Sequence, residues 1–380
     1  MPGQSSSSFA RAWVEVDLRA LRCNAAALAR RAGVPIVPMV KADAYGVGAV
    51  QAARALEALD PWGYGVATVA EGEELRAAGI GRRILIVTPI VEEEFGAAMS
   101  AGLTPMLDGE RRVDAWGVLG GGAWHLGIDT GMSRAGVRWA DVTTLVDVLR
   151  RWPPEGAFTH FHSAEAGDGS AEEQERRFEE ALATLPARPR LLHAENSPAV
   201  ARRGRSRWDL VRPGVFLYGV TTGAGALERA EPVVSLRARV VDVRTIARGE
   251  TVSYNATYHA DGPRRIATVA VGYGDGYRRA LSNRGEALVK GRRVPVAGTV
   301  TMDMTMLDVT DVPCDVGDVA TLIGRDGDAL IEVEDVARAG EISPYEALTS
   351  LRGRLPRVYA DEATADEPQL TYTGERGAGA

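Results

Sequence analysis

A single lysine, Lys41, closes an apolar run of strand length that begins at Ile36. It is followed at once by Ala42, Asp43, Ala44 and Tyr45, with Gly46 and Gly48 just beyond. A lysine at the tip of a buried strand is partly stripped of water, which lowers its pKa from about 10.4 and makes the neutral, nucleophilic amine accessible. That is how a Schiff-base lysine is prepared. One such lysine is more often a solvated strand cap, so its company has to carry the argument. Strand-like runs further along end in His125 to Arg134 (His-Leu-Gly-Ile-Asp-Thr-Gly-Met-Ser-Arg), in Thr159-His160-Phe161, in His193 with Asn196 and Ser197, and in Val211-Arg212-Pro213-Gly214-Val215. This is a lysine, an arginine pair (Arg134 and Arg212), two histidines (His160 and His193), and a Ser and Gly set whose hydroxyl and backbone N–H donors suit a phosphate. Lysine together with a phosphate site points to pyridoxal phosphate.

The elements that must position these residues alternate in type. Strand-like cores are expected near 36–40, 64–69, 84–88, 103–107, 123–129, 156–161, 189–193 and 211–217. The clearer helices between them are expected at 50–59, 70–78, 141–151 and 171–182. An N-terminal strand near 11–17 and a helix over 18–31 precede the series. Eight strands alternating with helices predict parallel pairing and closure into a (β/α)8 barrel, with an open doubly wound sheet as the alternative. A barrel gathers its chemistry at the C-terminal ends of its strands, where the residues above fall. After about residue 231 the texture changes to valine-rich runs at 233–246, 265–271, 286–296, 302–309 and 319–323, separated by Gly, Asp and Pro turns. This predicts a mostly β second domain, followed by helices at 333–339 and 345–352. The expected division is 11–230 for the barrel, whose first strand is free to join the β domain, 231–360 for the β domain, and a disordered acidic, Gly-rich tail at 361–380.

Composition narrows the function classes. The chain has 380 residues, 45% hydrophobic and 25% charged, with a formal net charge of -7. The acidic balance and lack of basic clusters argue against nucleic acid or an anionic membrane as partner, and favour small molecules. Cys23 and Cys314 stand far apart, which predicts buried thiols in a reducing compartment and no disulfide framework or cysteine metal site. No apolar run is long enough for a bilayer, and residues 1–8 carry no signal-like apolar segment, so a cytoplasmic location is expected.

Taken with further pieces, the chain resembles the alanine racemase family. The matching motifs are Val40-Lys41-Ala42-Asp43-Ala44-Tyr45-Gly46, Asp129-Thr130-Gly131-Met132-Ser133-Arg134, Thr159-His160-Phe161, Asn196-Ser197, Val211-Arg212-Pro213-Gly214, Val252-Ser253-Tyr254, Gly272-Tyr273-Gly274-Asp275-Gly276-Tyr277, Val300-Thr301-Met302-Asp303 and Leu355-Pro356-Arg357. They keep the family's order and spacing from residue 40 to residue 357.

The resemblance implies a pyridoxal phosphate enzyme that supplies D-alanine for the bacterial cell wall. Lys41 would bind the cofactor covalently and act as one of two catalytic bases. Tyr254 would be the other, brought by the β domain of the partner subunit of a homodimer. Arg212 would face the pyridine nitrogen. Tyr45, Ser197, Gly214, Val215 and Tyr345 would hold the phosphate, with Asn196 beside them, while His160 and His193 would pack or support the ring. Arg134 would contact the cofactor's phenolic oxygen and the substrate carboxylate, the partner's Met302 and Asp303 would lie near that carboxylate, and Tyr273 would gate the channel. No metal is implied.

Departures from the family pattern accompany these matches. Gly127 stands where the family commonly has a carbamylated lysine that orients the arginine, so Arg134 must be held by chloride, water or another carboxylate. Asp43, Val47, Asn255 and Thr301 replace the usual Asn, His, Gly and Cys. The alternatives are a racemase of broader range, serine included, and a cofactor-binding relative with little activity. A decarboxylase of this fold type lacks support, because its own glycine-rich and cysteine motifs are missing.

Overall fold

The structure is a computed structural model that describes residues 10–222, 229–351 and 353–361. The predicted tail at 361–380 lies, beyond Asp361, outside the described residues, as does the end of the predicted 345–352 helix.

Six short parallel strands run in chain order around an arc: Gly63–Val66, Arg83–Pro89, Thr104–Leu107, His125–Asp129, Gly156–Phe158 and Leu191–His193. The arc closes through isolated bridges. Ile36 pairs with Val211, Met39 with Gly65, and Asn196 with Arg212. Val37 N donates to Val211 O at 2.8 Å and Val40 N to Gly65 O at 2.9 Å, so residues 36–40 sit between the arc's two ends. Within that segment Pro38 has no N–H to donate, which interrupts the ladder and leaves bridges. The result is the expected (β/α)8 barrel, with segments 36–40 and 211–212 as its first and last staves.

Between staves lie helices such as Leu18–Ala32, Val69–Ala77, Glu110–Val118 and Ser170–Ala183. Their starts follow local chemistry. Asp17 accepts from Ala20 N at 2.8 Å, and Thr68 with Glu71 forms a capping box. The segment expected as one helix over 141–151 instead begins as a 3-10 turn, Trp139–Leu145, before the α-helix Val146–Arg151.

The second module is built on the long strand Val234–Ile246, which pairs antiparallel with Ala12–Asp17, Arg264–Val269 and Val319–Asp326. Strand Ala12–Asp17 also pairs parallel with Arg357–Ala360, so the first and last strands lie side by side in this sheet. The run expected at 286–296 is a hairpin, Glu286–Val289 and Arg292–Pro295, turned at Lys290 and Gly291, both with positive φ. One continuous apolar cluster, from Val14 and Leu28 through Leu126 and Phe178 to Leu236 and Leu322, joins barrel and sheet. Among the described residues no helix is long and apolar enough to cross a membrane.

Candidate active site

Lys41 begins an unusual turn. Ala42, Asp43, Ala44 and Tyr45 all take left-handed helical angles, with φ of 54, 53, 51 and 57°. Each such residue costs about 1–2 kcal/mol relative to the right-handed form, so the surroundings must hold the turn. Ala44 N donates to Val40 O at 2.8 Å, and Ala49 N to the Asp43 side chain at 2.8 Å. The C-terminal module grips its far end. Arg357 donates to Gly46 O at 2.9 Å and the Tyr359 hydroxyl to Val47 O at 3.0 Å. A Cβ at Gly48 would lie 2.1 Å from that hydroxyl, so the close approach requires glycine there.

The turn forms one wall of a cavity of about 360 Å³ at the barrel mouth. Lys41, Tyr45, Arg134, His160, Asn196, Ser197, Arg212, Gly214, Val215 and Tyr345 all line it. Tyr345 arrives on the helix Pro344–Thr349, whose Leu348 packs against Gly46. On one side the Ser197 hydroxyl accepts from Gly214 N at 2.8 Å, and the Tyr45 hydroxyl lies where a Cβ at residue 214 would stand, 2.5 Å away. The Tyr45 ring stacks on Tyr218 with centroids 4.7 Å apart. On the other side lie the cations. The lining holds Lys41, Arg134 and Arg212 and no carboxylate. Such a cavity selects an anionic guest.

Burial, then the positive charge of Arg134 and Arg212, lowers the Lys41 pKa, while Glu71 opposes the shift. Arg212 is buried and pulled down to about 9, first by desolvation and then by Arg134, which still leaves it charged at neutral pH. Desolvation, with Arg212 and Arg134 next, pushes His160 down to about 3, so its imidazole is neutral. Burial and Tyr345 push Tyr45 up, keeping its phenol protonated as a donor.

Arg212 is held from below. Its guanidinium donates to Thr159 O at 2.7 Å, to Ala194 O at 3.1 Å and to His193 Nδ1 at 2.7 Å, and approaches His160 Nδ1 at 3.3 Å. His193 stacks on Phe158 and bonds His125 through the other ring nitrogen at 2.8 Å. His125 then faces the Glu155 carboxylate at 3.9 Å. Arg134 is presented by a loop that Asp129 organises, its carboxylate accepting from Gly131 N and Ser133 N at 3.0 Å each.

Gly127 lines a smaller neighbouring cavity of about 190 Å³ with Arg134 and Met106. A Cβ at residue 127 would meet the Met106 methyl at 2.5 Å, so methionine fills the space on that side. Among the described residues no carboxylate forms an ion pair with Arg134, so none of them meets the carboxylate alternative for holding it.

Tyr254, Met302, Asp303 and Tyr273 are absent from the Lys41 cavity. Tyr254 lines a separate recess of about 740 Å³ on the β module with Thr301 and Met304. It is 69% exposed, Met302 53%, Tyr273 41% and Met304 40%, an apolar-aromatic face on one module. Asp303 pairs with Arg354 at 2.7 Å, and Arg354 also bonds Asp275.

Sequence reasoning gave no role to His125, Glu155 or Glu71. The signal for Glu71, a Thr-x-x-Glu capping box, was readable but marks only a helix start.

The chain matches the family model of the alanine racemase N-terminal domain over residues 16–222 and that of the alanine racemase C-terminal domain over 233–359. It is 38% identical over 372 residues to the alanine racemase of Symbiobacterium thermophilum, covering 92% of this chain and 97% of that one. It is 40% identical over 352 residues to that of Deinococcus radiodurans, covering 91% and 98%. Among solved structures, the alanine racemase of Streptomyces coelicolor A3(2) superposes with a TM-score of 0.87 at 34% identity, covering 94% of this chain and 100% of that one. The enzyme of Bartonella henselae, solved with covalently bound pyridoxal phosphate, gives 0.85 at 29% identity, covering 92% and 100%.

Proposed function

We propose, from the premise that this chain belongs to the alanine racemase family, that it interconverts L- and D-alanine with pyridoxal phosphate at the barrel mouth. The observation that carries this reading is the cavity lined by Lys41, two arginines, four hydroxyl-bearing side chains and no carboxylate. Its donor set fits the cofactor. Tyr45, Ser197, Tyr345 and the backbone at Gly214 and Val215 would hold the phosphate, and the tight approach of the Tyr45 hydroxyl to Gly214 leaves a cradle that a side chain at 214 would fill. Lys41 would hold the aldehyde carbon, Arg212 would donate to the ring nitrogen, and Asn196 and His160 would flank the ring.

When bound, the cofactor supplies an electron sink that acidifies the substrate α-proton. Inversion then needs a base on each face of the α-carbon. Lys41, whose lowered pKa favours the neutral amine, serves one face. Tyr254 from a second copy of the chain serves the other, and that copy also brings Met302, Asp303 and the gate residue Tyr273. Arg134 orients the substrate carboxylate. Arg212, an obligate donor, keeps the ring nitrogen from taking a proton, which restrains side reactions such as transamination.

Two features support the borrowed tyrosine: Tyr254 lies outside the Lys41 cavity of its own chain, and its exposed aromatic and methionine neighbours form a face that a homodimer would cover. A cytoplasmic role in supplying D-alanine for peptidoglycan completes the proposal. The test is chiral product analysis with L-alanine, L-serine and larger amino acids after addition of pyridoxal phosphate. D-alanine formed faster than the other D-products supports the reading. No inversion of any substrate sinks it.

A further inference from the structure

The backbone immediately after Lys41 is both strained and tied to a residue outside the cavity. We infer that Glu71 is a positioning residue for Lys41: its carboxylate bridges the first amide of the left-handed turn to the start of helix Val69–Ala77, so that turn and helix hold the lysine as one body. Oε1 accepts from Ala42 N at 2.7 Å, and Oε2 accepts from Ala67 N at 2.6 Å and Thr68 N at 3.3 Å. The Thr68 hydroxyl in turn accepts from Glu71 N at 3.2 Å. A capping box needs only one carboxylate oxygen. The other oxygen acts outside the helix, on the residue next to Lys41.

The physical need is specific. A helical turn of either hand leaves its first amides without internal partners, and here the turn is also in the costly left-handed form. An acceptor fixed on a neighbouring helix satisfies the amide of Ala42 and ties the entry of the turn to the barrel. Arg357 and Tyr359 fix the exit. Lys41 therefore projects from a segment fastened at both ends.

Glu71 also has an electrostatic role. Four groups act on the Lys41 amine: Arg134 from the loop after strand His125–Asp129, Arg212 from the last stave, the neutral His160, and Glu71 from helix Val69–Ala77. Of these, Glu71 alone brings negative charge. It tempers the loss of proton affinity that burial and the arginines impose.

This inference rests on Lys41 being the cofactor lysine, and its test uses cofactor-free protein, so the racemase reading can fail without deciding it. Lys41 is labelled competitively with acetic anhydride across pH and quantified by mass spectrometry in the wild type, Glu71→Gln and Thr68→Ala. Amide exchange over residues 41–46 is followed in the same proteins. In Glu71→Gln the labelling midpoint is expected to fall by roughly half a pH unit, about threefold more neutral amine at a given pH, and protection of 41–46 to drop. Thr68→Ala weakens the helix cap but keeps the bridge, so it should lower the melting temperature and leave the Lys41 profile in place. If Glu71→Gln does not fold, Glu71→Asp, one methylene too short to span both amides, is expected to show the same loss of protection. An unchanged midpoint and protection in the Glu71 variants, or an equal shift in Thr68→Ala, overturns the inference.

Discussion

His125 Nδ1 lies 2.8 Å from His193 Nε2, and the direction of that hydrogen bond is dictated two residues away. Arg212 can only donate, and it bonds His193 Nδ1 at 2.7 Å. His193 must therefore carry its proton on Nε2 and give it to His125 Nδ1. His125 in turn carries its proton on Nε2, facing Glu155. A second proton on either ring would set two N–H groups against each other. Burial and this arrangement keep both rings neutral, and His125 is depressed to about 4.

The pH dependence follows with a definite sign. The unfolded chain takes up a proton on His125 near pH 6.5, while the folded chain resists to about 4. Stability is thus fully present above about 6.5 and is lost as pH falls toward 4, by an amount on the order of a few kcal/mol. Urea unfolding of cofactor-free protein between pH 7.5 and 4.5 should show this loss. His125→Gln, whose amide oxygen can still accept from His193, should make the curve shallower between pH 6.5 and 4.5, with His193 and His160 keeping the remaining slope. An identical slope in the variant would contradict the assignment.

Gly156 stands opposite His125 in register, and a Cβ there would lie 2.6 Å from the imidazole and 2.8 Å from Leu191 O. Gly156→Ala is therefore expected to destabilise the protein by about 1–3 kcal/mol. Denaturant midpoints measure this, and a change under about 0.5 kcal/mol would mean the strand ends yield more easily than their packing indicates.

On the proposed function, Lys41→Ala removes both the covalent tether and one base. The variant should show no cofactor absorbance that survives dialysis after borohydride treatment, and racemisation should fall by at least about a thousandfold. Absorbance retained by the variant would place the tether elsewhere.

Mixing variants tests the shared site. Lys41→Ala and Tyr254→Phe homodimers should each be nearly inactive. Unfolded and refolded together, they should recover about a quarter of wild-type activity, because half the dimers are hybrids and each hybrid keeps one intact Lys41 and Tyr254 pair. No recovery, with dimers formed, would mean both residues act within one chain.

Much of the site was legible because barrel chemistry falls at strand ends, and those ends carry compact motifs. Lys41, Arg134, His160, Ser197 and Arg212 were found that way, and all meet in one cavity. The left-handed turn was not legible. Ala, Asp, Ala and Tyr favour a right-handed turn, and contacts from Glu71, Arg357 and Tyr359 override that preference. The first stave is read as an ordinary strand until the donor missing at Pro38 is counted. Lys290-Gly291 was a turn signal inside a run taken as one strand. Tyr254 is a different case: its proposed partner belongs to another molecule, about which one chain's residue order holds no distance.

The clasp of Arg357 on Gly46 has a consequence in time. These residues are 311 positions apart, so a ribosome working at roughly 5–20 residues per second finishes the loop on the order of tens of seconds before its fastener exists. The nascent barrel can gather its staves during that interval, while the far end of the Lys41 turn still lacks the donors of Arg357 and Tyr359. The turn that carries Lys41 can take its fastened form only after Arg357 has been made.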